Sequence, residues 1–286
     1  MKLETFQQFM DFQLLDTGDS YRLEQWGPVR LMRPDPQIIW KRSLPTSEWQ
    51  KATAEFVGGG ERGKWTKRSQ VPASWPVYFR PDIKMLARLT PFKHTGIFAE
   101  QAAHWEWLTD LLKDQPPLKI LNLFAYTGGA TMILTRLGHQ VTHVDSSKPA
   151  IAWAKENQTA NRFGSESIRW ILDDAAKFAQ RELVRGQKYD GIIMDPPAFG
   201  HSPSGKTWKF NRDLPQLLMN CADLLSKDAK FLIVNGYATN SSALALLNIL
   251  EDVMDERSGS IDYGELCLKE KAGRMISTGI FARWQS

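Results

Sequence analysis

Five consecutive residues, Asp195-Pro196-Pro197-Ala198-Phe199, concentrate the chemistry open to this sequence. Proline has no amide hydrogen and holds φ at about −65°, so the tandem pair makes a stiff turn whose carbonyls meet few local donors. The Asp195 carboxylate and the Pro196 carbonyl can then accept both hydrogens of one planar nitrogen. Its lone pair is left pointing away, toward an electrophile, while Phe199 offers a ring face for stacking. Such a reaction relies on alignment and on a route for the proton, and needs no metal when the leaving group is already cationic. Asp195, Pro196, Pro197 and Phe199 are thus the candidate catalytic residues, and the bland alternative is a rigid turn that ends a strand.

A second cluster lies upstream. The run Asn122-Leu123-Phe124-Ala125-Tyr126-Thr127-Gly128-Gly129 ends in two glycines, which tolerate positive φ and let backbone approach a ligand. It is not G-x-G-x-x-G, so a dinucleotide pyrophosphate has no three-glycine cradle, and an NAD enzyme is disfavoured. Asp145 ends the next apolar run after Gly128 and is placed to accept hydrogen bonds from ribose hydroxyls. Asp173 and Asp174 stand where an acid can meet an adenine amino group, Asp174 being the better aligned. Each has a structural alternative: a plain turn for the glycines, and helix caps for Asp145, with Ser146 and Ser147, and for Asp174.

The elements that must position these residues follow from periodicity. After Gly96 the sequence alternates short apolar runs with helix-forming segments. Strands are expected at 119–126, 139–145, 167–172, 189–194 and 231–235, with helices over 130–137 and 148–162 between them. Connections of that length force parallel pairing. The end differs, because 263–269 and 275–284 are separated only by 270–274 and can pair only as an antiparallel hairpin. Ligands should bind at the carboxyl ends of the parallel strands. Before residue 93 the pattern is of short strands and turns, including a hairpin over 21–33 and a loop or hairpin tip at 58–65. Prolines 72, 76, 81 and 91 keep helices out of the stretch that follows. The expected division is a small β-rich domain over 1–92 and a catalytic α/β domain over 93–286.

This layout resembles the seven-strand, Rossmann-like sheet of class I S-adenosylmethionine (SAM) methyltransferases. The motifs sharpen the resemblance: residues 93–284 look like the SAM domain of bacterial ribosomal RNA large-subunit base methyltransferases, the cytosine-5 and guanine-N7 enzymes. Thr95-Gly96-Ile97-Phe98-Ala99-Glu100-Gln101 resembles that group's T-G-x-F-x-D-Q stretch, and the Asn122–Gly129 run its N-L-F-x-Y-T-G-x loop. Asp145-Ser146-Ser147 resembles its D-x-S, Asp174 its strand-three acid, and Asp195–Phe199 its D-P-P-x-F. The resemblance implies SAM as cofactor, contacted by Phe98, Glu100, Gln101, the loop residues, Asp145, Ser146, Ser147, Asp173, Asp174 and Asp195. It also implies RNA, ribosomal RNA first, as substrate. One departure matters: cytosine-5 enzymes use a cysteine near strand four or five, and here the strand-five exit, Asn235–Asn240, has none. Cys221 falls in a helical run and Cys267 in the terminal hairpin, which favours transfer to a nitrogen.

The segment from Pro196 to Arg212 is longer than most strand-to-helix loops and long enough for a lid. It carries His201, Lys206, Trp208, Lys209 and Arg212, of which Lys206, Trp208 and Arg212 suit a phosphate and a stacked base. Arg274, in the hairpin turn, is expected to face the same mouth.

Composition bounds the rest. The 286 residues are 42% hydrophobic and 24% charged, ordinary for a globular chain. Residues 1–95 hold 15 Lys/Arg against 10 Asp/Glu, and the remainder 21 against 22. Seven of the 11 tryptophans precede residue 108. A basic, aromatic front suits phosphates and bases; a small β domain with a tryptophan core and a cationic face would look the same. The start lacks the layout of a secretory signal, no apolar run could span a membrane, and two cysteines make no disulfide framework, so a cytoplasmic setting is expected. Competing readings are methylation of a small molecule or a protein amide, and an RNA-binding protein with a vestigial SAM pocket.

Overall fold

The computed structural model describes residues 1–58, 63–201 and 207–286. Contacts divide the chain into two units, Thr5–Ala103 with Cys267–Ile276, and Met1–Glu4 with His104–Leu266 and Ser277–Ser286. The chain opens with a short strand, β1 (Lys2–Glu4), that joins the large sheet of the second unit.

In the first unit the expected hairpin is formed by β3 (Tyr21–Trp26) and β4 (Val29–Pro34). Its turn needs positive φ, and Gly27 supplies it with φ at 56°. Strand β2 (Phe12–Gly18) pairs on one side. After helix α1 (Thr46–Gln50), which the periodicity does not announce, β5 (Ala54–Val57) and β6 (Lys64–Lys67) complete a five-stranded sheet. A separate hairpin follows, β7 (Trp75–Arg80) with β8 (Ile83–Ala87). Trp26, Trp49 and Trp75 are buried here, so the alternative reading of the aromatic front as core accounts for them.

In the second unit, helix α2 (Ala102–Leu112) precedes β9 (Lys119–Leu123), α3 (Gly129–Arg136), β10 (Gln140–Asp145), α4 (Lys148–Ala160), β11 (Ile168–Leu172), α5 (Ala175–Val184) and β12 (Gly191–Met194). Then come the short pair β13 (Phe199–His201) and β14 (Thr207–Lys209), α6 (Phe210–Leu224), β15 (Phe231–Gly236), α7 (Ala243–Met254), β16 (Ser260–Lys269) and β17 (Met275–Gln285). The sheet order is β1-β16-β17-β15-β12-β9-β10-β11, with β9 to β12 and β15 parallel and β17 antiparallel to β15. Alternate residues of the central strands face opposite layers. Ile120, Ile193 and Ile233 pack with Leu108 and Leu134, while Leu121, Met194 and Leu232 pack with Phe178, Leu217 and Leu250. Strands covered on both faces must be apolar throughout, which is why these segments read as continuous runs. The order reverses between β9 and β12, and a ligand crevice belongs at that point.

The expected α/β sheet with a separate β-rich part is present, with one strand added. The sheet has eight strands rather than seven, because β1 pairs parallel to β16, Lys2 opposite Gly264. A Cβ on Gly264 would run into the Lys2 backbone, so glycine is what lets the strand close in. Burial supplies the reason for the pairing: Arg283, only 3% exposed, needs anions, and it finds Glu4 at 2.8 Å and Asp262 at 3.3 Å. The two units are each discontinuous in sequence. The β-rich unit runs on to Ala103 and includes the hairpin turn, where Lys271 N–H donates to the Leu14 carbonyl at 3.1 Å. A change of periodicity along the chain cannot reveal that return. Among the described residues no helix is long and apolar enough to cross a membrane.

Replacing Glu4 by Ala leaves a buried guanidinium with one carboxylate. We expect a loss of about 1–3 kcal/mol, as for a buried group that loses a hydrogen-bond partner. It falls short of a fully orphaned ion because Asp262 remains. Urea unfolding would measure it, and an unchanged midpoint would show that β1 adds no stability.

Candidate functional site

The turn from β9 into α3 departs from ordinary backbone. Phe124 and Tyr126 hold φ at 55° and 49°, and Gly128 at 85°. For non-glycine residues each such conformation costs on the order of 1–3 kcal/mol and persists only when neighbours hold it. Those neighbours are polar and specific. The Tyr126 amide donates to Asp145 Oδ2 and the Ser147 amide to Asp145 Oδ1, both at 2.8 Å. Asn157 Nδ2 donates to the Thr127 carbonyl at 2.9 Å. Asn122 Nδ2 donates to Thr131 Oγ1 at 3.0 Å, and Thr131 Oγ1 lies 2.9 Å from His143 Nδ1. A side chain on Gly129 would run into the indole of Trp105.

Burial raises the Asp145 carboxyl pKa, while its two amide donors favour the charged form. Burial and the Asp145 charge push the Tyr126 hydroxyl up to about 12, so it stays neutral. Burial brings His143 down to about 3. It too is neutral, because burial penalises the charged form.

A cavity of about 60 Å³ lies at the carboxyl ends of the strands. Phe124 comes from the end of β9, Asp145 and Ser146 from β10, Asp174 and Ala175 from the end of β11, and Pro197, Gly200 and Trp208 from beyond β12. The two clusters singled out in the sequence therefore share one cavity. Trp208 Nε1 donates to the Pro197 carbonyl at 2.7 Å, and its rings lie 5.2 Å from Phe124. Asp195 is half-buried, Pro196 buried, and Phe199 55% exposed beside them.

The remaining candidates divide. Asp174 lines the cavity and also caps α5, accepting from the Lys177 amide at 3.0 Å. Asp173 turns to Arg181 instead. Ser147 caps α4. Asn122, Ala125 and Thr127 are buried, and the Asn122 side chain works beneath the turn. Arg212 is bound to Asp213 and the Thr207 carbonyl, and Lys206 lies outside the described residues. Phe98, Glu100 and Gln101 belong to the β-rich unit, where burial raises the Glu100 carboxyl and Phe98 lies 5.1 Å from the His94 ring. Arg274 belongs there too, over Trp40 at 5.6 Å and donating to the Thr17 carbonyl at 3.3 Å. Its guanidinium is engaged inside that unit. Sequence reasoning missed Thr131, His143 and Asn157; the one signal available was a histidine inside an apolar strand.

No protein-family model matches the chain. It is 27% identical over 235 residues to ribosomal RNA large subunit methyltransferase K/L of Shewanella sp. (strain MR-4), covering 80% of this chain and 31% of that protein. It is 26% identical to ribosomal RNA large subunit methyltransferase I of Enterobacter sp. (strain 638), covering 71% and 49%. The chain thus spans from about a third to a half of these curated relatives. Among solved structures, the SAM-dependent methyltransferase from Agrobacterium tumefaciens superposes with a TM-score of 0.96 at 38% identity, covering 100% of this chain and 93% of the other. The chain belongs to the SAM-dependent methyltransferases. SMU.776 complexed with SAH superposes at 0.74 with 17% identity, covering 96% and 75%, a likeness of fold alone.

SAM is the cofactor of this methyltransferase, and the residues of the cavity fit it. Carboxylates end two adjacent parallel strands, suited to hydroxyl and amino donors, and Phe124 gives a flat apolar face. The left-handed Gly128 keeps the turn free of a side chain. Asp145→Ala removes an acceptor and also frees two amides that hold the turn. SAM affinity should fall by about 1–3 kcal/mol. Calorimetry on a mutant with native circular dichroism checks this; unchanged affinity would take Asp145 out of the site.

Proposed function

We propose that this methyltransferase transfers the methyl of SAM to a base nitrogen of RNA, ribosomal RNA being the favoured substrate. The observation that carries the reading is the shared cavity, in which the Asp145 and Asp174 ends of β10 and β11 meet the Pro197–Trp208 loop beyond β12. Asp145 would hold the ribose hydroxyls and Asp174 the adenine amino group, with Ser146 and Phe124 beside them. When bound, SAM supplies a methyl activated by its sulfonium. Asp195 and the Pro196 carbonyl accept the hydrogens of the acceptor nitrogen and turn its lone pair outward. As that nitrogen becomes cationic, the Asp195 carboxylate is the base at hand to take its proton. Phe199, exposed at the loop, stacks on the ring. Pro197 has its carbonyl bound to Trp208 and acts by stiffening the loop.

Nitrogen rather than carbon is favoured by the cysteines. Cys221 is fully buried on α6, and burial raises its thiol pKa far from the thiolate that a nucleophile needs. Cys267 is 2% exposed. The RNA reading draws on the names of the relatives and on cations. Lys64, Lys67 and Arg68 are exposed on and just after β6, the edge of its sheet, although lysines there also keep a second sheet from pairing.

Asp195→Asn should lower turnover by at least tenfold, about 1.4 kcal/mol of barrier, with SAM affinity within threefold. The Cys221→Ser, Cys267→Ser double variant should keep turnover within tenfold; a covalent RNA adduct would restore the cytosine-5 mechanism. RNA binding should weaken with salt, each phosphate contact adding roughly 0.7–0.9 to the log–log slope. Neutralising Lys64, Lys67 and Arg68 should reduce that slope. Equal methylation of a free nucleoside and of RNA would instead promote a small-molecule substrate.

A further inference from the structure

The β-rich unit carries a cleft of about 600 Å³, roughly ten times the volume at the strand ends. Small-molecule sites occupy about 300–1,000 Å³. Its floor is aromatic. Phe9 meets Phe12 at 5.5 Å and Phe79 edge-on at 5.4 Å, all three buried. Phe6 rides on this stack, 5.7 Å from Phe9 and 6.0 Å from Phe12, and is half-buried. Met10 is 64% exposed, unusual for so apolar a side chain, and Gln7 and Gln8 are exposed beside it.

Backbone hydrogen bonds fix both walls. The Met10 amide donates to the Phe79 carbonyl at 3.1 Å and the Asp11 amide to the Tyr78 carbonyl at 3.0 Å. Opposite, the Lys271 amide donates to the Leu14 carbonyl at 3.1 Å, which ties down the hairpin turn. That turn brings Lys269 and Lys271, both exposed, to a rim that also holds Arg80. Among the lining residues the one acid is Glu270, which is buried and held by Thr17 and Arg274. The rim is therefore cationic and the interior aromatic.

A purely apolar ligand would make no use of Lys269 and Lys271, and an anion without rings would leave Phe6 and Met10 in water. We infer that the cleft holds one or two unpaired nucleotides of the RNA substrate, with phosphates at Lys269 and Lys271 and a base against Phe6 and Met10. Gln7 and Gln8, which also line the cleft, carry amides that are donor and acceptor together. A duplex does not fit, because its bases are stacked inside and unavailable to the rings. The inference rests on the RNA reading above.

The test uses the full chain and a fluorescein-labelled, unstructured 12-nucleotide RNA, followed by anisotropy. Lys269→Glu with Lys271→Glu should weaken binding at least tenfold and lower the log–log salt slope by roughly 1.4, two single-strand contacts. Phe6→Ala should weaken it about 5- to 150-fold, the loss of one base stack. SAM affinity by calorimetry should stay unchanged in both, and native circular dichroism with an unchanged urea midpoint reports folding. RNA carrying 4-thiouridine should crosslink to the Thr5–Gln13 peptide. Wild-type binding and methylation of RNA that the variants leave intact, or crosslinks confined to other peptides, would overturn the cleft and spare the RNA reading. Failure of the wild-type chain to bind or methylate any RNA would sink both. Uridine monophosphate binding as tightly as the 12-mer would make the cleft a free-nucleotide site, and tighter binding of polyglutamate would make it a protein-docking site. Either overturns the assignment.

Discussion

A turn held against its own backbone preferences organises the catalytic unit. Phe124 and Tyr126 sit in left-handed conformations that L-residues avoid, and the sheet, two helices and a half-buried carboxylate act to keep them there. Asp145 has to serve two masters: its oxygens grip the Tyr126 and Ser147 amides, and its exposed side is part of the cavity. The Asn122, Thr131 and His143 chain supports the turn from below, and Asn157 ties it to α4. Removing any of these groups leaves a buried polar partner unmatched, so errors here reach the cofactor before they reach the fold.

The placement of the site follows from topology. Because β10 and β11 lie to one side of β9 and β12 to the other, the first and fourth parallel strands are neighbours. The loop after β9 and the Asp195-Pro196-Pro197 turn after β12 therefore open onto the same crevice, although three strands and three helices are threaded between them in sequence. A doubly wound sheet solves in this way the problem of bringing a cofactor loop and an acceptor loop together without either leaving its rigid base.

Much of this is legible in the sequence for a definable reason. Parallel central strands are buried on both faces, so they announce themselves as apolar runs, and strand-end acids and glycines stand out against them. Asp174 is legible twice, as cavity residue and as cap, and it is both. What stays hidden depends on pairings between distant residues. Nothing near Lys2 says that Gly264 will accept it as a neighbour, and nothing near Arg274 says that Trp40 and Thr17 will hold it. The tryptophans of the first hundred residues mislead in a different way, since composition reports that rings are present but not whether a core has already claimed them.

The pairing of Lys2–Glu4 with Gly264–Leu266 also sets a schedule. Chains emerge from the ribosome amino end first, and domains generally fold as units while they do so. Here the catalytic sheet needs β16 and β17 to set Glu4 against Arg283, and the β-rich unit needs Cys267–Ile276 to complete its own contacts. Neither unit can be finished until the strands beyond residue 260 have been made. Until then β1 and the Leu14 edge are unsatisfied, and contacts of such sequence separation form slowly. Nascent chains stalled before residue 260 should depend on chaperones in a way that the released protein does not.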